Sequence, residues 1–369
     1  WIGTLKNGIN RLDLNTGQIR RFLYKNNPSA GIVNNNIRQV VLGQDGKVWI
    51  GTQEGISIID PLKFTIQSYQ HDPKNIKSLN QNSVYSIYQD AQKSMWIGTY
   101  FGGANVSYSA NTKFNLIQNN EGKVGLSNNV ISGIIEDNQS NLWIGTEGGG
   151  LNKIDPQTKK ITVYKNDINN TNSLSSNLIK SVYKDSDEQI WVGTAQGGGL
   201  NLFDSKTNTF KRMLFEENYE KNELSSHNEI LSIFEDSKKR FWLSRTQGIE
   251  LFIRDKTKLI PIKNNPLKGS DRETLIAKLK VARAFQEDNK GRLWIGTNYG
   301  LYLINENYVK NICKTDIVNC ITKDLNGNLW FGLNGGLGFY NYLNGNYNHN
   351  NNILLSDKKV FGIIADKYG

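Results

Sequence analysis

The chain has 369 residues, 37% of them hydrophobic, and a mean hydropathy of −0.52. That length suits two or three ordinary domains or one large closed ring, and no apolar run approaches the roughly 18 residues a membrane-crossing helix needs. The formal net charge is +10, but the lysines are scattered over the whole chain without a compact basic block, which argues against nucleic acid as a partner and leaves an acidic carbohydrate compatible.

Trp1 opens the word W-I-G-T and so already belongs to a strand. A natural chain is not expected to begin there. The sequence is therefore expected to be a fragment, with any export signal, membrane anchor or output domain outside it. The word returns at Trp49, Trp96 and Trp143, as W-V-G-T at Trp191, W-L-S-R at Trp242, W-I-G-T at Trp294 and W-F-G-L at Trp330. All eight tryptophans fall in this motif, 47 to 52 residues apart until a final interval of 36. Six residues before the Trp stands Asp90, Asp137, Asp185, Asp236, Asp288 or Asp324, and Asp366 keeps the phase near the end. The second repeat departs, with Gly43 there and Asp45 two residues on.

The unit around Trp96 predicts four short strands by period-2 alternation: a over Val84–Gln89, b over Met95–Thr99, c over Ala104–Tyr108 and d over Lys113–Gln118. Four antiparallel strands every ~40 to 50 residues is the period of a propeller blade. The sequence thus predicts an all-β fold, a single β-propeller over residues 1–369. A strand near 360–366 would complete the blade begun by residues 1–24, since an open ring would leave strand edges unpaired. This gives eight blades; the rival count is seven plus one unit left for a second propeller. Only Thr274–Ala284 suggests a helical turn.

The motif residues suit a frame. Asp followed by Gly or Asn makes a tight a–b turn, as in Asp324-Leu-Asn-Gly327. The Trp face can fill the gap between blades. The Gly beside it admits a neighbouring backbone or ring. Trp1, Trp49, Trp96, Trp143, Trp191, Trp242, Trp294 and Trp330 are accordingly expected to be structural. His71, His227 and His349 belong to different blades without a second His or Cys at ligand spacing, so no metal site is expected. Cys313 and Cys320 fall on an outermost and an innermost strand, which disfavours a disulfide.

The words WIGTEGGGLNKID, WVGTAQGGGLNLFD and SMWIGTYFGGANV, and the loop HDPKNIKSLNQNSVYSIYQD, resemble the two-component regulator propeller repeat. The resemblance runs over essentially the whole chain, with W-L-S-R at Trp242 the most divergent copy and no long S-L-S-x-N loop in the last two units. It implies the extracytoplasmic, periplasmic sensor region of a hybrid two-component histidine kinase. Such a region responds to oligosaccharides from glycan breakdown, and meets the membrane only through later C-terminal segments. A homodimer of the full-length protein is compatible with it. It carries over no binding residue position by position.

Blade geometry places the b–c and d–a loops on one face, where variable residues stand on a fixed frame. The b–c turns offer Tyr100, Phe101, Glu147, Gln196, Arg245, Gln247, Asn298 and Tyr299, with Lys6, Gln53, Glu54 and Asn334 around them. Sugars pack their C–H faces on aromatic rings and bond their hydroxyls to amide and charged groups. Tyr100, Phe101 and Tyr299 are the stacking candidates, and Arg245 the anchor for a carboxylate or sulfate. Two other readings remain: a protein-interaction scaffold, and a propeller enzyme of the lyase or glycosidase type. The enzyme would need paired acids at the axis, and the b–c turns supply only Glu54 and Glu147, two blades apart. No catalytic residue and no cofactor is expected.

Overall fold

The computed structural model describes residues 1–14, 16–27, 30–108, 114–119, 125–213, 228–246, 248–255, 258–261, 279, 281–305, 308–314, 316–350 and 358–365. Its strands form eight four-stranded antiparallel sheets, blades I to VIII. The innermost strands a are Val360–Ile363 in blade I, Ile37–Leu42 in II, Val84–Gln89 in III and Ile131–Glu136 in IV. They continue with Ile179–Lys184 in V, Ile230–Glu235 in VI, Ala282–Glu287 in VII and Val318–Lys323 in VIII. Each touches strand a of the next blade, and Val360–Ile363 touches those of both VIII and II, so the ring is closed. The closing blade pairs Ile2 with Ile363 and Gly3 with Gly362, and the Trp1 nitrogen donates to the Ile364 carbonyl at 2.9 Å. Eight blades are present, not seven and a remainder. Around Trp96 the strands are Val84–Gln89, Met95–Thr99, Gly103–Ser107 and Phe114–Ile117. The expected helical turn is corrected in part: Ala282–Ala284 is strand, because alternation continues into Phe285 and Glu287, and most of 274–281 lies outside the described residues.

The core is a set of layers between blades rather than one central mass. Each motif Trp packs on the next blade: Trp96 against Ile131, Ile134 and Ile144, Trp191 against Ile230, Ile233 and Phe241. Trp330 does the same across the closure, against Ile2 and Val360. Strand b is therefore covered on both faces, and in blades II to V every residue of it is buried. The motif Gly permits this stacking. A Cβ on Gly3, Gly51, Gly145 or Gly296 would come within 2.5–2.7 Å of the branched residue opening strand a of the next blade, Ile37, Val84, Ile179 and Val318. Blade VI has Ser244 there instead, and the facing residue is Ala282, whose amide donates to Ser244 Oγ at 2.9 Å.

The bottom rim holds a bond that the spacing alone did not reveal. The Asp six residues before the Trp accepts the indole N–H: Trp96 to Asp90 at 2.8 Å, Trp143 to Asp137 at 2.9 Å and Trp191 to Asp185 at 2.7 Å. Trp242, Trp294 and Trp330 bond Asp236, Asp288 and Asp324 in the same way, at 2.9–3.0 Å. The other carboxylate oxygen closes the a–b turn on backbone amides, as from Ser94 to Asp90 at 2.7 Å. Burial would raise the Asp288 carboxyl, but the Trp294 indole, the Arg292 guanidinium and backbone amides outweigh it and hold it below the usual carboxylate value. Neighbouring turns are also stapled. The last residue of strand a accepts an amide of the preceding blade's turn: Gln44 to Gln89 at 2.8 Å, Ala91 to Glu136 at 2.9 Å, Ser186 to Glu235 at 2.7 Å and Ser237 to Glu287 at 2.8 Å.

Candidate ligand-binding face

The opposite, top face is built from the b–c turns, the d–a loops and the first residues of strand a. In blades I to V and VII strand b ends on a buried Thr whose hydroxyl donates to the Gly carbonyl at the start of strand c, as from Thr99 to Gly103 at 2.9 Å and Thr146 to Gly150 at 2.8 Å. The b–c turn is then tied to the start of strand a: Tyr100 N–H to the Ser83 carbonyl and Glu147 N–H to that of Val130, both at 2.9 Å. An Asn of strand c holds the d–a loop. Asn105, Asn152 and Asn201 each accept one of its amides and donate into it, at 2.7–3.0 Å. Rigid turns thus carry the variable residues.

Strand a begins with a bulge in every blade. Ile37 pairs with Thr52 and Gln39 with Gly51, which leaves Arg38 out of register; the residues skipped elsewhere are Tyr85, Ser132, Lys180, Leu231, Arg283, Asn319 and Phe361. A bulge re-aims its extra side chain. Four of the expected turn residues, Tyr100, Glu147, Asn298 and Asn334, meet a bulge residue.

In blade III, Tyr100 and Phe101 stand edge to face, with ring centroids 4.2 Å apart, and Tyr100 stacks on Tyr85 at 5.4 Å. The three rings are 39%, 61% and 52% exposed for Tyr100, Phe101 and Tyr85. The Arg38 guanidinium lies 5.2 Å from the Tyr85 ring centroid and donates to Ser83 Oγ at 2.8 Å. Glu147 pairs with Lys180 at 3.1 Å. Gln196 is exposed in the left-handed region, at φ 54°, and its amide approaches Glu229 Oε1 at 3.4 Å. Asn298 accepts from Arg283, which also reaches Asn319 Oδ1 at 3.3 Å, and Asn319 donates to Asn334 at 3.0 Å.

Three expectations fare differently. Arg245 is not a surface anchor: it is 2% exposed in strand b of blade VI, where it replaces the buried Thr and pairs with Glu250. Tyr299 is 56% exposed, but in blade VII, four blades from Tyr100, so the three aromatics do not share a platform. Gln247 lies outside the described residues. Reading only the turns missed Tyr85 and Arg38. Their signal was available: the second residue of strand a is the variable one in I-R-Q-V, V-Y-S-I, I-S-G-I and I-K-S-V, between apolar positions that agree. Among the described residues no group of three or more His, Cys, Asp or Glu is placed to hold a metal, and both cysteines are free. His227 and the side chain of His349 lie outside the described residues.

The model of the family described as Two component regulator propeller matches residues 78–101, 125–148, 173–196 and 279–299. Each match runs from the d–a loop through strands a and b and stops at the b–c turn. No curated protein matches. Among solved structures, the extracellular domain of a putative hybrid two component system from B. thetaiotaomicron is 21% identical over 93% of this chain and 50% of that one, at a TM-score of 0.53. A second such domain from the same organism is 20% identical over 97% and 52%, at 0.53. Virginiamycin B lyase from Staphylococcus aureus is 14% identical over 80% and 91%, also at 0.53. At these identities the likeness is one of fold, and the chain spans about half the length of the two extracellular domains. The chain thus carries two component regulator propeller repeats, matched directly in blades III, IV, V and VII of its eight-bladed ring.

Proposed function

We propose that this propeller is the ligand-sensing module of the extracytoplasmic part of a hybrid two-component histidine kinase, and that it binds an oligosaccharide from glycan breakdown on its top face. The observation that carries the reading is the exposed cluster of Tyr85, Tyr100 and Phe101 beside Arg38. Contiguous aromatic rings kept in water are costly unless a ligand covers them, and sugar C–H faces fit such rings. Among the described residues Arg38 meets a hydroxyl and a ring and no carboxylate, so its guanidinium is the place for a uronate or sulfate, the role that buried Arg245 cannot fill. The family match supports the sensor role, and the extracellular domains with the same fold support a location outside the cytoplasm. The module is read as binding its ligand without turning it over.

The test is calorimetry and thermal shift against neutral, uronic and sulfated oligosaccharides. At least one is expected to bind and raise the melting temperature, and Tyr100→Ala with Phe101→Ala is expected to abolish binding in a folded ring. Turnover of a glycan without a stable complex would replace the sensor with an enzyme. Binding that survives both substitutions would move the site elsewhere.

A further inference from the structure

Two d–a loops of the top face are built alike. In residues 166–174, which lead into blade V, the Asp167 amide donates to Ser173 Oγ at 2.8 Å and the Asn169 amide to Asp167 Oδ1 at 3.0 Å. The Asn172 amide donates to Asn170 Oδ1 at 2.9 Å, and Ser173 Oγ to the Asp167 carbonyl at 3.1 Å. In residues 71–79, which lead into blade III, the corresponding bonds run from Asp72 to Ser78 Oγ at 2.9 Å and from Lys74 to Asp72 Oδ1 at 2.9 Å. The remaining pair runs from Lys77 to Asn75 Oδ1 and from Ser78 Oγ to the Asp72 carbonyl, both at 3.1 Å. Asn166 Nδ2 holds the Leu174 carbonyl at 2.6 Å, and His71 Nδ1 holds that of Leu79 at 2.7 Å.

The folding of the 166–174 loop turns four carbonyls toward one point, and the Arg212 guanidinium fills it. Arg212 Nε donates to the Ser173 carbonyl at 2.8 Å, and Nη2 reaches the carbonyls of Asp167 at 3.3 Å, Asn170 at 2.9 Å and Leu174 at 2.9 Å. Arg212 stands on strand d opposite Asn201, the strand-c Asn that ties the loop. In blade III the equivalent residue, opposite Asn105, is Leu116. Leucine donates nothing. Among the described residues, the Asp72 and Asn75 carbonyls accept from loop amides, those of Asp72 and Leu79 from Ser78 Oγ, and that of Leu79 also bonds His71, with no strand-d side chain among the donors, in a loop whose residues 72–77 are exposed.

We infer that loop 72–79 is a receptor for a guanidinium group supplied by another molecule. The chemistry is set by the sister loop: Nε takes the Ser173 carbonyl while Nη2 takes the other three, a two-nitrogen reach of fixed geometry that a single compact ammonium or sodium ion lacks. The inference is independent of the sugar reading, since no residue of the aromatic cluster takes part.

The experiment uses amide chemical shifts of the whole chain titrated with guanidinium chloride at millimolar concentration, against ammonium and sodium chloride at equal ionic strength. Saturable shifts confined to residues 72–79, with ammonium about tenfold weaker, are expected; the 167–174 loop should not respond, because Arg212 occupies it. Arg212→Ala opens that second cup, and its loop should then respond to guanidinium. Leu116→Arg should silence the first loop and raise the melting temperature. L-arginine and a capped Gly-Arg-Gly peptide separate a free guanidino compound from an arginine in a polypeptide; a response to either supports the inference and names its source. No saturable shift in 72–79, or equal shifts with ammonium, overturns it. If Leu116→Arg does not fold, the unanswered loop of Arg212→Ala overturns it equally.

Discussion

At the bottom rim six indoles bind six aspartates in one geometry, and four staples of one design link neighbouring turns. At the top rim the bulge residues are Arg38, Tyr85, Ser132, Lys180, Leu231, Arg283, Asn319 and Phe361, with hardly two blades agreeing. The same strands run between both rims, so strand geometry does not explain the difference. A buried carboxylate or indole has one low-energy solution in a given turn, because each polar atom must find its partner. A residue in a solvated bulge has many solutions, and there the chemistry of a ligand can decide.

If that contrast holds, stability should depend on the bottom and on the layers between blades. Trp191→Ala removes a fully buried ring from the V–VI layer and should cost ~3–5 kcal/mol in denaturant unfolding. Gly51→Val places a side chain where Val84 stands 2.7 Å from a mere Cβ, and should cost at the upper end of ~1–3 kcal/mol. Asp288→Asn loses charge-assisted bonds from Trp294 and Arg292 and should cost ~2 kcal/mol at neutral pH. Because the native Asp288 carboxyl lies below its unfolded value, its contribution is complete above the ordinary carboxylate range and disappears as pH falls through the lowered value. The variant should therefore show a shallower loss of stability in acid than the parent, as read from melting temperature against pH. Tyr100→Ala should change stability by under ~0.5 kcal/mol while removing glycan binding. A large loss of stability there would make the aromatic cluster part of the frame.

The eight in-phase tryptophans made the ring and its closure legible, because a repeat that agrees throughout reports constraints shared by every blade. The Asp–Trp bond was not legible as a bond: spacing shows that two residues keep phase but not that one donates to the other. Arg245 misled for a related reason. It stands at the fourth place of W-L-S-R, where most blades carry the buried Thr that ends strand b, and its charge suggested a surface role; strand b ends on it, and it pairs inside the blade with Glu250 of strand c. Tyr85 and Arg38 were legible as variable positions among apolar ones but not as bulge residues, because a bulge is a feature of register between two strands, which one strand's sequence does not carry.

Ser244 and Ala282 bear on how such a ring can change over time. In blades I, II, IV and VII a glycine faces an isoleucine or valine at the boundary with the next blade, so either partner tolerates little enlargement alone. In blade VI the hydroxyl fits because the facing side chain is a single methyl, 38 positions along the chain. Restoring a branched residue at 282 while Ser244 remains would bring back the clash. Reverting Ser244 to Gly while Ala282 remains would leave a void and an unpaired amide. The two sites are therefore locked to each other, and the accessible route between the two arrangements runs through alanine at 282 first and serine at 244 second.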